Sequence, residues 1–354
     1  MDPVLEALER AAAAGLIPRG ASVLLAVSGG ADSLALLFGA VEASRRTGWR
    51  LSVGHVHHGW RRREADRDLA FVSEHARRLG LPFLDRRRDA RRAASELGLS
   101  PEAAARHVRY AALAEMAREA GASLVATAHQ RDDAVESLLI AQERRGGLAR
   151  LAGPRALRAD GVVRPLLDVG RREILAFLAA RGLAHRRDST NGDLALSRNR
   201  VRRGLARTSE EERTALAERI SALARERDRL EEEYARRVAP AVRRGEGGAA
   251  GGVGPDSAKV EVEVDARVLS ACEDELVRLA LSRLAAPFAR AGRPPMTGRE
   301  RERLVSRLRS GEDFRDETGR RIRFELRRGR LRIRLRDAAA AEAVYDAAEG
   351  TPAR

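Results

Sequence analysis

The chain has 354 residues, 44% hydrophobic and 34% charged, a globular composition long enough for two or three cores rather than one. A single cysteine, Cys272, excludes a disulfide framework and an all-cysteine metal site; the lack of a long apolar run or a basic leader at Met1-Asp2-Pro3 argues against a membrane span or secretion, so the cytoplasm is expected. The net charge of +15 is almost wholly arginine, Lys259 being the only lysine; guanidinium matches phosphate, so nucleic acid is the expected partner, although 3% aromatics argues against base-stacking platforms.

Residues 1–20 read as a short helix closed by Gly15 and Pro18. Strands at 22–27, 50–58, 82–88 and 123–129 then alternate with helices at 33–46, 65–80, Pro101 to about Ala120, and Asp132 to Glu143. Strands separated by helical patterns predict an α/β fold, a doubly wound parallel sheet covered on both faces, with ligands at the carboxyl ends of the strands. Ser28–Ser33 and His129–Asp133 both fall there. After Gly153 come an extended piece and helix over 164–182 and a polar loop over 187–202. Ser209 and Glu212 then form a capping box for a long helix to about Val238.

The glycine-rich stretch 245–254 reads as a flexible linker. Beyond it, a strand at 259–264, helices at 272–286 and 297–310, and a hairpin at 320–336 predict a C-terminal α+β region. That hairpin alternates arginine with apolar residues, and its basic face is suited to a nucleic-acid backbone. The expected domains are 1–205 for catalysis, 206–244 as a helical connector, 245–257 as a linker, 258–337 as the basic nucleic-acid-binding domain and 338–354 as a tail.

The chemistry concentrates in Ser28-Gly29-Gly30-Ala31-Asp32-Ser33, between a buried strand and a helix. Paired glycines let backbone N–H groups approach an anion, and the helix N-terminus adds partial positive charge, so the loop can cradle phosphate. The Walker lysine is missing; Ser28 and Ser33 offer hydroxyls instead, and Asp32 a carboxylate for Mg²⁺. A strand-to-helix turn capped by Ser33 is the plainer alternative.

The loop resembles the S-G-G-x-D-S motif of the PP-loop ATP pyrophosphatases, which hold the β- and γ-phosphates and leave the α-phosphorus open to attack. Four further stretches, "HVHHGWRRREADRD" (55–68), "PEAAARHVRYAAL" (101–113), "ATAHQRDDAVESLL" (126–139) and "DSTNGDLALSRNRVR" (188–202), together resemble the tRNA(Ile)-lysidine synthetase family over about residues 20–205. The resemblance implies that ATP, with Mg²⁺, adenylates the C2 carbonyl of the wobble cytidine in tRNA(Ile) with a CAU anticodon. Free lysine then displaces AMP.

By the same resemblance, Ser28, Gly29, Gly30, Ala31, Asp32 and Ser33 hold ATP, and Asp32, Arg109, His129 and Asp133 are catalytic. Asp32 and Asp132 take the metal, Asp133 and Glu136 the lysine, and Arg198, Asn199, Arg200, Arg202 and Arg203 the tRNA. Asp132 as a plain helix cap and Arg109 or His58 as ordinary surface or strand-end side chains remain alternatives, and a homodimer is left open. Ala134 and His57 depart from the family, which carries Gln and Asn there. The rival activities are tRNA thiolation, which commonly uses cysteines where this chain has only Cys272 outside the motif region, and tRNA binding without catalysis.

Overall fold

Five strands, β1 (Ser22–Ala26), β2 (Arg50–His57), β3 (Phe83–Arg87), β4 (Leu124–Thr127) and β5 (Val162–Val163), form one parallel sheet in the order β3-β2-β1-β4-β5. The computed structural model describes residues 2–57, 62–143, 146–186, 201, 204–205, 208–247, 259–289, 295–319 and 321–335. The expected tRNA contacts Arg198, Asn199, Arg200, Arg202 and Arg203, and His58, lie outside the described residues.

β1 is apolar on both sides because successive side chains point to opposite faces and both faces are covered. Val23 and Leu25 join a core with α1 (Pro3–Ala13), α2 (Ala31–Thr47) and α8 (Arg171–Ala180), whereas Leu24 joins Leu113 and Met116 of α5 (Pro101–Glu119) on the other face. The predicted doubly wound sheet is therefore present. The chain moves from β1 out through β2 and β3, then returns to add β4 on β1's other side. The carboxyl ends of β1 and β4 thus flank a topological switch point, where such sheets bind ligands.

The remaining elements here are α3 (Arg62–Arg78), α4 (Ala90–Leu97), α6 (Arg131–Glu143) and the single turn α7 (Leu148–Leu151). The helix α4 was not anticipated; Asp89 caps it, its carboxylate accepting from the N–H of Arg91 and Arg92 at 2.9 and 3.0 Å. Two-residue β5 was also missed, being too short for any periodic signal.

The chain divides into two compact units, Met1–Arg144 with Leu148–Ala224, and Arg145–Gly147 with Arg225–Arg354. The boundary falls inside α9 (Glu210–Glu233) rather than ahead of it. The Ser209 box is formed, with Ser209 N–H on Glu212 at 2.7 Å and Glu212 N–H on the Ser209 hydroxyl at 3.1 Å. Leu216, Ile220 and Leu223 then pack with Ala134, Val135 and Leu138 of α6, which ties the first half of α9 to the parallel-sheet unit.

The second unit holds β6 (Val242–Gly247), β7 (Lys259–Asp265), β8 (Phe314–Glu317), β9 (Ile322–Arg327) and β10 (Arg330–Leu335) in an antiparallel sheet ordered β6-β7-β10-β9-β8. Helices α10 (Ala266–Ser270), α11 (Asp274–Ala285) and α12 (Gly298–Ser310) belong to the same unit. Two expectations change. Gly245 and Gly247 pair with Glu261 and Lys259, so the glycine-rich stretch begins as a strand, and it joins neighbouring strands rather than separate domains. The hairpin's outward arginines are also less free than they read: β7 lies beside β10, and Glu263 pairs with both Arg330 and Arg332 at 2.8 Å. Glu325 takes Arg327 at 2.8 Å and Arg334 at 3.6 Å. The face is an ion-pair ladder with residual positive charge.

Candidate active site

β1 runs into the loop through Val27, whose N–H donates to Gly54 at 2.9 Å and whose carbonyl lies 2.8 Å from Nδ1 of His55. Only a donor can face a carbonyl oxygen, so this nitrogen carries the proton, and burial holds the imidazole below its usual pKa. His55 was not singled out from sequence; its place two residues before His57 on one strand face was the available sign.

At Gly29 the backbone turns through φ 93°, a conformation other L-residues rarely adopt. The Ser33 hydroxyl closes the turn. It accepts from the N–H of Ser28 and Gly29, each at 3.2 Å, and donates to the Gly30 carbonyl at 2.8 Å. Its proton therefore shapes the loop, and Ser28, whose Oγ is 3.2 Å away, is the hydroxyl that faces the cavity with it. Gly30 caps α2 without a side-chain hydrogen bond, and Ala31 starts the helix, the arrangement that favours an anion at a helix N-terminus.

A cavity of about 720 Å³ lies at the carboxyl ends of β1 and β4. Asp32, Arg109, His129, Asp133 and Glu136 all line it, so the expected catalytic residues and the expected lysine pair converge. On α5 the lining positions are Glu102, Arg106, Arg109 and Leu113, and on α6 they include Asp133, Glu136, Ser137 and Ile140. The α5 positions are spaced by three or four residues and the α6 positions fall at i, i+3, i+4 and i+7, so one face of each helix forms a wall. His129 is oriented by Thr127, whose hydroxyl lies 3.0 Å from Nδ1.

The loop carboxylate is linked electrostatically to α6 and α8. Burial pushes the Asp32 carboxyl above its usual range; Arg171, the first residue of α8, counters this by an ion pair, while Asp133 and then Asp132 add to the rise. Arg171 was not anticipated, because nothing local links it to Asp32. At the start of α6, Gln130 N–H donates to Asp133 at 3.0 Å and Asp132 N–H donates to the Gln130 side chain at 2.8 Å, an exchange that caps the helix.

Asp132, expected as a metal ligand, is placed apart from Asp133. It is absent from the cavity lining, and its carboxylate accepts from Arg213 at 3.4 Å. One residue along a helix turns the side chain by about 100°, so Asp133 and Asp132 serve different surroundings. The departure at Ala134 also has a structural setting, since that side chain packs among Val135, Leu138, Val201 and Ile220. His57 is buried, with Nε2 3.6 Å from Asp66.

Asp32 and Asp133 fit the chemistry of Mg²⁺, as hard oxygen donors in one cavity with the phosphate loop. Among the described residues no group of three or more His, Cys, Asp or Glu side chains forms a metal cage.

Comparison with known proteins agrees with this geometry. The chain is 43% identical over 222 residues to the tRNA(Ile)-lysidine synthase of Thermus thermophilus, a match covering 62% of this chain and 42% of that protein. It is 39% identical over 196 residues to the enzyme of that name from Dehalococcoides mccartyi, covering 53% of this chain and 42% of the relative. With the one from Geobacter sulfurreducens it is 42% identical over 192 residues, covering 54% and 41%. The chain thus spans less than half the length of these curated relatives. The model of the PP-loop domain matches residues 6–209, which contain the parallel sheet, the loop and the cavity walls, and the chain belongs to the PP-loop domain family.

Proposed function

We propose that this chain forms lysidine: it uses ATP to activate the C2 carbonyl of the wobble cytidine in tRNA(Ile) with a CAU anticodon, then joins free lysine at that carbon with release of AMP and pyrophosphate. The observation that carries this reading is the single cavity uniting the phosphate loop and Asp32 with the acidic pair Asp133 and Glu136. The similarity to curated tRNA(Ile)-lysidine synthases at 39–43% identity supports the same reading.

In this mechanism the loop N–H groups and the N-terminus of α2 hold the polyphosphate, leaving the α-phosphorus open to the cytidine oxygen. Asp32 would hold Mg²⁺, which would supply positive charge against the departing pyrophosphate. Arg109 stabilises charge building on the α-phosphoryl oxygens. The lysine amine, guided by Asp133 and Glu136, adds at C2 as AMP leaves, and His129 accepts the amine proton. Arg198, Asn199, Arg200, Arg202 and Arg203 contact the tRNA, whose presence sets the cytoplasm as the compartment. No described helix is long and apolar enough to cross a membrane.

The test is incubation of the protein with ATP, labelled lysine and bulk tRNA, followed by digestion to nucleosides. Label in a modified cytidine is expected. No lysine label, but incorporation from a sulfur donor, would select thiolation instead. Cys272 gives that rival little support: it is buried in the second unit, donates to the Val268 carbonyl at 3.1 Å, and burial pushes its thiol above the usual pKa.

A further inference from the structure

Arg164, immediately after β5, has a side chain that the reaction above does not use. It is only 3% exposed, yet it lines the cavity. Its Nη1 donates to the Arg155 carbonyl at 2.5 Å and its Nη2 to the Tyr110 hydroxyl at 3.4 Å, while Nε is buried with no hydrogen-bond partner. Among the described residues no carboxylate pairs with it. A buried guanidinium held by neutral oxygens alone, with a donor unsatisfied, is costly unless an anion completes it.

Its neighbours increase that demand. The guanidinium centres of Arg106, Arg109 and Arg158 lie 4.8, 5.2 and 4.5 Å from the centre of the Tyr110 ring. Burial pushes the Tyr110 phenol up, but Arg106, Arg109 and Arg164 outweigh it and draw the phenol below its usual range. The cavity therefore carries both signs. Its cations are Arg106 and Arg109 of α5, Arg150 of α7 and Arg164 after β5, and its carboxylates are Asp32 at the start of α2, Asp133 and Glu136 of α6 and Glu102 of α5.

Resting on the lysidine reading, we propose that Arg164, oriented by Tyr110 and the Arg155 carbonyl, binds the α-carboxylate of the amino-acid substrate. A guanidinium fork matches a planar carboxylate through two parallel hydrogen bonds. The unpaired Nε and the adjoining Nη2 form one such edge. Lysine needs both signs in one cavity: carboxylates for its ammonium groups and a cation for its carboxylate. A phosphodiester inside a polymer cannot readily reach a side chain this buried, and the nucleotide's own phosphates have the glycine loop.

The experiment compares binding of L-lysine and L-lysinamide, which lacks the negative charge, to the full chain with ATP present, by calorimetry. The parent protein is expected to bind lysine more tightly than lysinamide by roughly 30- to 1000-fold, and Arg164→Met to remove that preference while leaving lysinamide binding within about threefold. Tyr110→Phe keeps the ring and releases Arg164, so a smaller loss confined to lysine is expected if Arg164→Met fails to fold. Lysine and lysinamide binding alike to the parent, no lysine binding at all, or equal weakening of both in the variants would overturn the assignment. Weakened ATP binding with lysine binding unchanged would give the guanidinium to phosphate instead, and equally overturn it. Because binding is read without tRNA, carboxylate-dependent lysine binding would stand even if no lysine reached a nucleoside, a result that would sink the proposed reaction alone.

Discussion

The guanidinium of Arg171 pairs with the carboxylate of Asp32, 139 residues away along the chain. The pair joins the first turns of two helices on one face of the sheet. It favours the ionised form of the loop's only carboxylate against burial, which favours the neutral form.

Arg171→Ala should therefore lower stability in a pH-dependent way. The Asp32 carboxyl titrates above its ordinary 3.8 in the folded chain, so its ionised form opposes folding above that raised pKa and stops doing so once it is protonated. Removing Arg171 enlarges the opposition. Thermal melts should show a deficit of about 1 kcal/mol near pH 8 that closes as the pH falls through the raised folded pKa of Asp32. A deficit independent of pH would mean that Arg171 acts through packing.

The loop makes a second, steric prediction. A methyl group on Gly29 would meet Phe71 and Val72 at an ordinary 3.5 Å, so space is not its difficulty; φ 93° is. Gly29→Ala should cost about 1–2 kcal/mol. Gly30 has φ −74° and its nearest Cβ neighbour at 3.6 Å, so Gly30→Ala should melt like the parent. Both should weaken ATP binding, the first by distorting the turn and the second by crowding phosphate, as nucleotide titrations would show.

The two aspartates of α6 should separate. Asp133→Asn removes a carboxylate from the cavity and is expected to raise the lysine KM by about 30-fold or more. Asp132→Asn weakens the contact with Arg213 and should change stability by up to about 1 kcal/mol with little effect on that KM. Steady-state kinetics with the two variants side by side decides it, and equal effects would return Asp132 to the site.

Glu263 tests the ladder on the second sheet. Arg332 and then Arg330, hydrogen-bonded to it, hold its carboxyl below the ordinary 4.5 despite some desolvation. Stability from such a group is present above 4.5 and is lost as the pH falls through the lower folded value. Glu263→Gln should cost about 0.5–1 kcal/mol near neutral pH and almost nothing in strong acid, measured by denaturant titration at several pH values. The same variant frees two arginines, so tighter, more salt-sensitive tRNA binding is expected if this face meets nucleic acid.

Much of this was legible in the residues themselves. Alternating strand and helix patterns were enough for a parallel doubly wound sheet, because a strand buried on both faces must be apolar throughout, as Val23, Leu24 and Leu25 are. The glycine loop and the acidic start of α6 could be assigned to strand ends, where backbone groups open towards a ligand. Local rules also supplied the Ser209 capping box, since its partners are three residues apart.

What tertiary structure decided were relationships between distant segments. Helical rotation separates Asp133 from Asp132; an ion pair across the fold links Arg171 to Asp32; and strand order puts Glu263 beside Arg332, turning an apparently bare arginine face into a ladder. Arg164 looked like one more arginine among many until its burial and its unpaired Nε became visible. Periodicity reports which face of an element is apolar, but not which other element comes to meet it. Charge pairing and desolvation depend on that meeting, and so does the chemistry of the cavity.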